Sequence, residues 1–476
     1  MKLPFWVSKK SWTLVSPKLL PFADVVTKDL PLSRLLRLSL FQVSVGMAAT
    51  LLIGTLNRVL IVEMGVSSWL VALMVALPLV FAPFRALVGF KSDNHRSVLG
   101  WRRVPYIWIG TILQFGGLSI MPFALILLSG DTHWPMWFSH LASALAFILV
   151  GAGMQTTQTA GLALATDIAS EQSRPRVVAL MYVMLLVGMV ISGIVFSFFL
   201  NPFSQLQLIQ VVQGAATVTV FLNVIALWKQ EARQPHKTNR QDAGPDFRES
   251  WAQFTSNGRV KRFLWTLGLG TAAFSMQDII LEPYGGEILQ LSVSQTSLLT
   301  ALMSIGALFA FALAARWLSK GMDPYRIASV ALLVGLVAFS AVIFAQPMSS
   351  PTLFRVGTTL IGFGAGLFSV STLVIAMQMD RLGMTGMAIG AWGAVNTTAS
   401  GVAISLGGLI RDVVSDLSQK GYLGEALMNP AVGYQVVYHI EIYLLFATLV
   451  ALGPLVLYQR KQKPTQGKFG LADFPS

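Results

Sequence analysis

Apolar blocks nearly free of charge recur from one end of this chain to the other, each roughly 20–28 residues long. That length crosses about 30 Å of hydrocarbon as a helix, and little else explains so regular a repetition. Of 476 residues 54% are hydrophobic and 12% charged, too few charges to cover a soluble protein of this size. The chain therefore reads as an all-α integral membrane protein. With no cysteine it has no disulfide and no thiolate metal site.

The blocks predict twelve spans, at 36–60, 68–89, 104–128, 137–165, 176–200, 206–228, 261–282, 296–317, 325–346, 352–379, 384–410 and 433–458. A connection at 229–260 divides them into six plus six, and a second fairly long one, 411–432, precedes the last span. The expected organisation is an N-terminal segment (1–35), a six-helix bundle (36–228), a cytoplasmic linker (229–260), a second six-helix bundle (261–458) and a cytoplasmic tail (459–476). The N-terminal segment is broken by charges and prolines, so it reads as lying along the membrane surface, with Phe5, Trp6, Trp12 and Phe22 at headgroup depth.

Charge sets the expected orientation. The two termini and the connections after even-numbered spans hold 29 of the 34 lysines and arginines. The connections of the opposite side hold only Arg411 and Lys420, which places both termini on the cytoplasmic side of the membrane. The net charge of +13 is thus a topology signal and a contact for anionic lipid, not the footprint of nucleic-acid binding.

The two halves echo one another. VSSWLVALM at 66–74 opens span 2, and VSQTSLLTALM at 293–303 opens span 8; GAG stands 14 residues before Asp167 in span 4 and before Asp380 in span 10. Duplicated halves related by an axis along the membrane normal are expected of the major facilitator superfamily fold.

Between spans 2 and 3 the chain reads GFKSDNHRSVLGWRR. Gly89 and Asp93, then Gly100, Arg102 and Arg103, resemble the G-x-x-x-D…G-R-[KR] loop of major facilitator proteins, with a longer insertion and a tryptophan before the arginines. That resemblance implies a structural brace on the cytoplasmic side by Gly89, Asp93 and Arg102. By residue type alone, Arg102 and Arg103 would anchor span 3 in the phosphate layer.

GTLNRVLIVEMGV (54–66), LPLVFAPFRALVGFKSD (77–93), HRSVLGWRRVPYIW (95–108) and TDIASEQSRPRVVALMYVMLLVGM (166–189) are more specific. They resemble the PucC/LhaA family, the bacteriochlorophyll delivery branch of the major facilitator superfamily in purple phototrophic bacteria, and HRSVLGWRR is most similar to the LhaA type. The resemblance covers about residues 20–460. It implies an assembly factor for the core light-harvesting antenna around the photosynthetic reaction center, a non-catalytic role in which bacteriochlorophyll a, and possibly a carotenoid, is bound or delivered. Implied partners are the antenna alpha and beta polypeptides, the reaction center and pigment-biosynthesis enzymes.

Ionisable residues within spans need a cavity, a partner or the headgroups. Arg58 and Glu63 lie near the outer end of span 1, five apart, a poor spacing for an α-helical pair. Asp278 and Glu282, four apart, share a face of the equivalent span 7 and require a basic partner. With Arg355 these are expected to form a polar patch, as a gate or as structural pairs. Gln155 and Thr159 in span 4 and Asn396 in span 11 either join helices or line a cavity. His140 and His439, near the outer ends of spans 4 and 12, could ligate the magnesium of a chlorin, or simply hydrogen-bond at the interface. No direct metal site is expected.

There is no phosphate-binding glycine loop, HExxH or nucleophile triad, so neither a nucleotide nor an enzyme activity is expected. Two other readings stay open: a secondary transporter of an apolar or small solute, and a pigment-free scaffold that recognises antenna helices.

Overall fold

A computed structural model of the chain describes residues 32–80, 101, 103–128, 135–169, 174–230, 256, 258–378 and 385–460. They form an all-α multi-pass membrane protein. Its helices are α1 (Ser33–Glu63), α2 (Ser68–Val80), α3 (Val104–Leu128), α4 (Met136–Ile168), α5 (Arg174–Phe199) and α6 (Gln205–Leu227). They continue as α7 (Gly258–Glu287), α8 (Val293–Ser319), α9 (Pro324–Ala345), α10 (Pro351–Gln378), α11 (Thr385–Gln419) and α12 (Val432–Arg460). Eleven of them are long and apolar enough to cross a membrane, and the apolar part of α2 is described only over Ser68–Leu77.

Most ends fall within three residues of the expected ones. The exceptions are α7, which runs on to Glu287, and α11, which continues nine residues beyond 410; the expected last part of span 2, 81–89, lies outside the described residues. The expected connection at 411–432 is therefore partly helix. Arg411, Asp412 and Asp416 lie on that helical stretch, and a helix can carry such charges where it leaves the hydrocarbon.

Packing repeats between the halves. The pairs α3·α4, α3·α6, α1·α5 and α1·α6 recur as α9·α10, α9·α12, α7·α11 and α7·α12, and α2·α11 mirrors α8·α5. Glycines permit the closest crossings, as small residues do where lipid offers no hydrophobic drive for association. Methyl groups added at Gly110 or Gly153 would strike backbone across α3·α4, and at Gly362 the backbone of Met303 across α8·α10. The GAG echo slips, however. Gly153 meets α3, but it is Gly364, not Gly366, that faces α9.

Buried polar side chains lock the first half. Ser44 of α1 donates to Asn223 of α6 at 2.9 Å, Asn223 to Thr111 of α3 at 2.9 Å, and Gln114 of α3 to the Ser44 carbonyl at 3.1 Å. Each bond joins a different pair of helices, so together they set the register of all three.

Candidate functional site

At the end where α1 and α7 finish, here the distal end, α1 leaves α geometry. Thr50–Leu56 and Val59–Glu63 are π-helical, with Met64 N–H bonded to the Val59 carbonyl at 3.0 Å. The wider turn brings residues five apart onto one face. Arg58 Nη1 therefore donates to the Glu63 carboxylate, although the same spacing is poor in an ordinary α-helix. Arg58 Nη2 reaches the Leu291 carbonyl in the α7–α8 connection at 3.2 Å. Gly286 leaves room for the guanidinium: a methyl there would fall 2.8 Å from Arg58 Nε.

The helix of α7 is interrupted. An α-helix ends at Ser275, Met276–Ile279 form a 3₁₀ turn, and Leu281–Glu287 resume as α-helix. The expectation that Asp278 and Glu282 share one face assumed an unbroken α-helix; Asp278 lies in the tighter turn and Glu282 in the helix that follows it. The Asp278 carboxylate accepts from the Gln277 side chain. Glu282 accepts from Thr300 Oγ1 of α8 at 2.6 Å and lies against Gly54 of α1. Backbone groups loosened by the break find partners from both sides: Asn57 of α1 donates to the Asp278 and Ile279 carbonyls, and Glu441 of α12 accepts the Gln277 N–H at 2.6 Å. Arg355 does not join this patch. It makes no ion pair among the described residues, and its Nε is buried without a partner.

A second cluster at the distal end was not expected. Arg411 of α11 donates to Glu287 at 2.5 Å, to Tyr434 Oη of α12 at 2.8 Å and to Asp412 at 2.9 Å, and lies 4.5 Å from the Tyr434 ring centre. Asp412 in turn accepts the Trp69 N–H at 2.8 Å, at the start of α2 where free backbone donors favour an anion. The rings of Tyr434 and Tyr438 both lie 5.4 Å from that of Tyr284 of α7. The signal for Glu441 was an acid inside an apolar run, VVYHIEIYLL, within a predicted span. Arg411 was hidden by its placement in a connection.

Across the seam between halves, Thr55 pairs with Ser297 at 3.1 Å and Ser197 with Ser294 at 3.0 Å. Arg58, Asn57, Asp412 and these hydroxyls thus hold α1, α2 and α5 to α7, α8 and α11.

Gly89, Asp93, Gly100 and Arg102 lie outside the described residues. Arg103 is not a phosphate-layer anchor. It is buried at 6% exposure, and its Nε donates to Asp167 of α4 at 3.0 Å. Burial turns the arginine from a lipid contact into a tie between α3 and α4. A double-mutant cycle of Arg103→Gln and Asp167→Asn on thermal stability is expected to give a coupling of about 1–3 kcal/mol; additive losses would refute the pairing.

Thr159 donates to the Gln155 carbonyl of its own helix at 2.7 Å, and Gln155 Oε1 is buried without a partner. Asn396 accepts from Thr271 at 2.9 Å, joining α7 to α11. His140 is half-buried in α4. His439 is exposed on α12, its Nδ1 2.7 Å from the Gln435 carbonyl. Among the described residues no three His, Asp or Glu side chains converge as metal ligands.

The PUCC protein family model matches residues 55–460. This chain belongs to the PUCC protein family. It is 53% identical to Protein PucC of Rhodovulum sulfidophilum over 84% of this chain and 89% of that protein. It is 51% identical to an uncharacterized protein in the puhA-bchM intergenic region of Rhodobacter capsulatus, over 96% and 97% of the two chains. A more distant likeness, 24% identity over 81% and 87%, is to the bacteriochlorophyll synthase 44.5 kDa chain of Rhodobacter capsulatus. In fold the chain is similar to the crystal structure of the nucleoside transporter NupG, with a TM-score of 0.66 over 89% of this chain and 99% of that one at 14% identity.

Proposed function

We propose that this protein is an assembly factor of the photosynthetic membrane, of the LhaA type, acting on the core antenna around the reaction center. The observation that carries the reading is family membership across nearly the whole chain, together with the loop HRSVLGWRR. It works as twelve spans in two six-helix bundles, 36–228 and 261–458, joined by the linker 229–260 with both termini cytoplasmic. The repeated helix pairings and the asymmetry of basic residues support that arrangement.

The cargo is bacteriochlorophyll, with carotenoid as a companion, and the partners are the antenna alpha and beta polypeptides and the reaction center. The relative named as a bacteriochlorophyll synthase chain supports a pigment connection. On this chain His439 fits a chlorin best. With Nδ1–H donating to the Gln435 carbonyl, Nε2 keeps a lone pair toward lipid, the form in which imidazole ligates a metal. Bound chlorin would supply a magnesium, and His439 Nε2 would hold it. Tyr443, Phe446 and Val450, spaced along the same exposed face of α12, offer apolar surface beside it.

The test is gentle purification from phototrophically grown cells, followed by an absorption spectrum and identification of the co-purifying polypeptides. Chlorin in near-stoichiometric amount with antenna subunits is expected, and His439→Leu is expected to remove most of the pigment at unchanged protein yield. Antenna subunits without pigment would leave a scaffold; neither, with solute uptake in proteoliposomes, would leave a transporter.

A further inference from the structure

The break in α7 is braced by two buried acids, each with an unpartnered carboxylate oxygen. Glu441 is fully buried; Oε1 accepts the Gln277 N–H, and Oε2 has no partner. Among the described residues no basic side chain lies within ion-pair distance of it. The titratable groups that face it are Asp278 of α7 and Tyr438 of α12, with Tyr284 and Tyr434 behind. None is a cation.

On the other side of the break, Glu282 is 3% exposed, with Oε1 on Thr300 and Oε2 unpartnered. The one charged group set against it is Arg58, which already donates to Glu63 and to the Leu291 carbonyl. An ionised carboxylate with an unsatisfied oxygen in a dry interior is far more costly than the neutral acid. Among the described residues no three such groups converge on one point, so a proton is the ligand this geometry accommodates.

We propose that Glu441 and Glu282 are reversible proton-binding sites, and that the α7 break they flank is a proton-linked joint between the halves. With both acids neutral, Arg58 stays on Glu63 and Leu291, and Asn57 holds the loosened carbonyls from α1. When Glu282 loses its proton to water, its carboxylate competes with the half-exposed Glu63 for Arg58. That competition weakens the tie from α1 to the α7–α8 connection. Ionised Glu441 would in turn repel Asp278 across the break.

The test uses the full chain in lipid nanodiscs. Infrared spectra in H₂O and D₂O should show protonated-carboxyl bands at neutral pH, part lost in E441Q, part in E282Q, and both parts in the double variant. Glutamine reproduces the neutral acid, so both variants should fold; failure of E441Q to fold would overturn the proposal. Since the chain has no cysteine, spin labels can be placed cleanly at Ser67→Cys and Gln290→Cys on opposite halves of the distal end. The long-distance population should rise with pH, by up to about tenfold per unit for each proton released. It should be insensitive to pH in the double variant. Bands that are absent at neutral pH, bands that neither substitution reduces, or a wild-type distance that ignores pH would each sink the idea.

Discussion

Replacing Gly362 by alanine is expected to lower stability by about 1–3 kcal/mol and to cut the yield of folded protein sharply. A single methyl group at this position would meet the carbonyl oxygen, carbonyl carbon and Cα of Met303, all backbone atoms of α8. Backbone cannot rotate aside as a side chain can, so α8 and α10 must move apart along their whole contact. Alanine is otherwise the better helix former by about 1 kcal/mol, so the sign of the result separates packing from propensity. Gly393→Ala is the control, because nothing lies within 4 Å of a methyl there. Thermal unfolding of detergent-purified protein should show Gly362→Ala destabilised and Gly393→Ala unchanged or slightly stabilised. Equal midpoints for the two would refute the close crossing.

The second large effect is expected from Arg411→Leu. That substitution removes the guanidinium that joins Glu287, Asp412 and Tyr434 at the distal end, leaving Glu287 the Tyr434 hydroxyl and Asp412 the Trp69 N–H. Breaking a fully buried ion pair costs about 3–5 kcal/mol; Glu287 keeps 33% exposure, so about 2–3 kcal/mol is expected. Lysine should recover less than half of the loss, since one ammonium cannot reproduce three directed bonds and a ring contact. The start of α2 should loosen as well, because Asp412 holds the Trp69 N–H. Hydrogen exchange at 68–72 reads that directly. Unchanged exchange beside a lowered midpoint would confine the cluster's role to α7, α11 and α12.

Much of the architecture was legible because lipid imposes it. A span must be apolar for its full length, and the ends of α3, α4, α6, α8, α9 and α10 lie within three residues of the expected ones. What failed did so where backbone geometry departs from the regular helix. Arg58 and Glu63 looked mismatched because five residues do not close an α-helical face, and nothing in LLIGTLNRVLIVE announces a π-helix. Asp278 and Glu282 looked matched because four residues do close one, and the 3₁₀ turn between them was invisible.

The sequence by itself therefore determined the class of solvent, the division into helices and the family, because each depends on local composition or on whole-chain likeness. Tertiary structure alone decided the partners of the charges. Glu441 meets Gln277, 164 residues away, and Arg411 meets Glu287, 124 residues away. Such pairings follow from how twelve helices cross, and a crossing is set by the joint fit of two surfaces, which neither helix encodes alone.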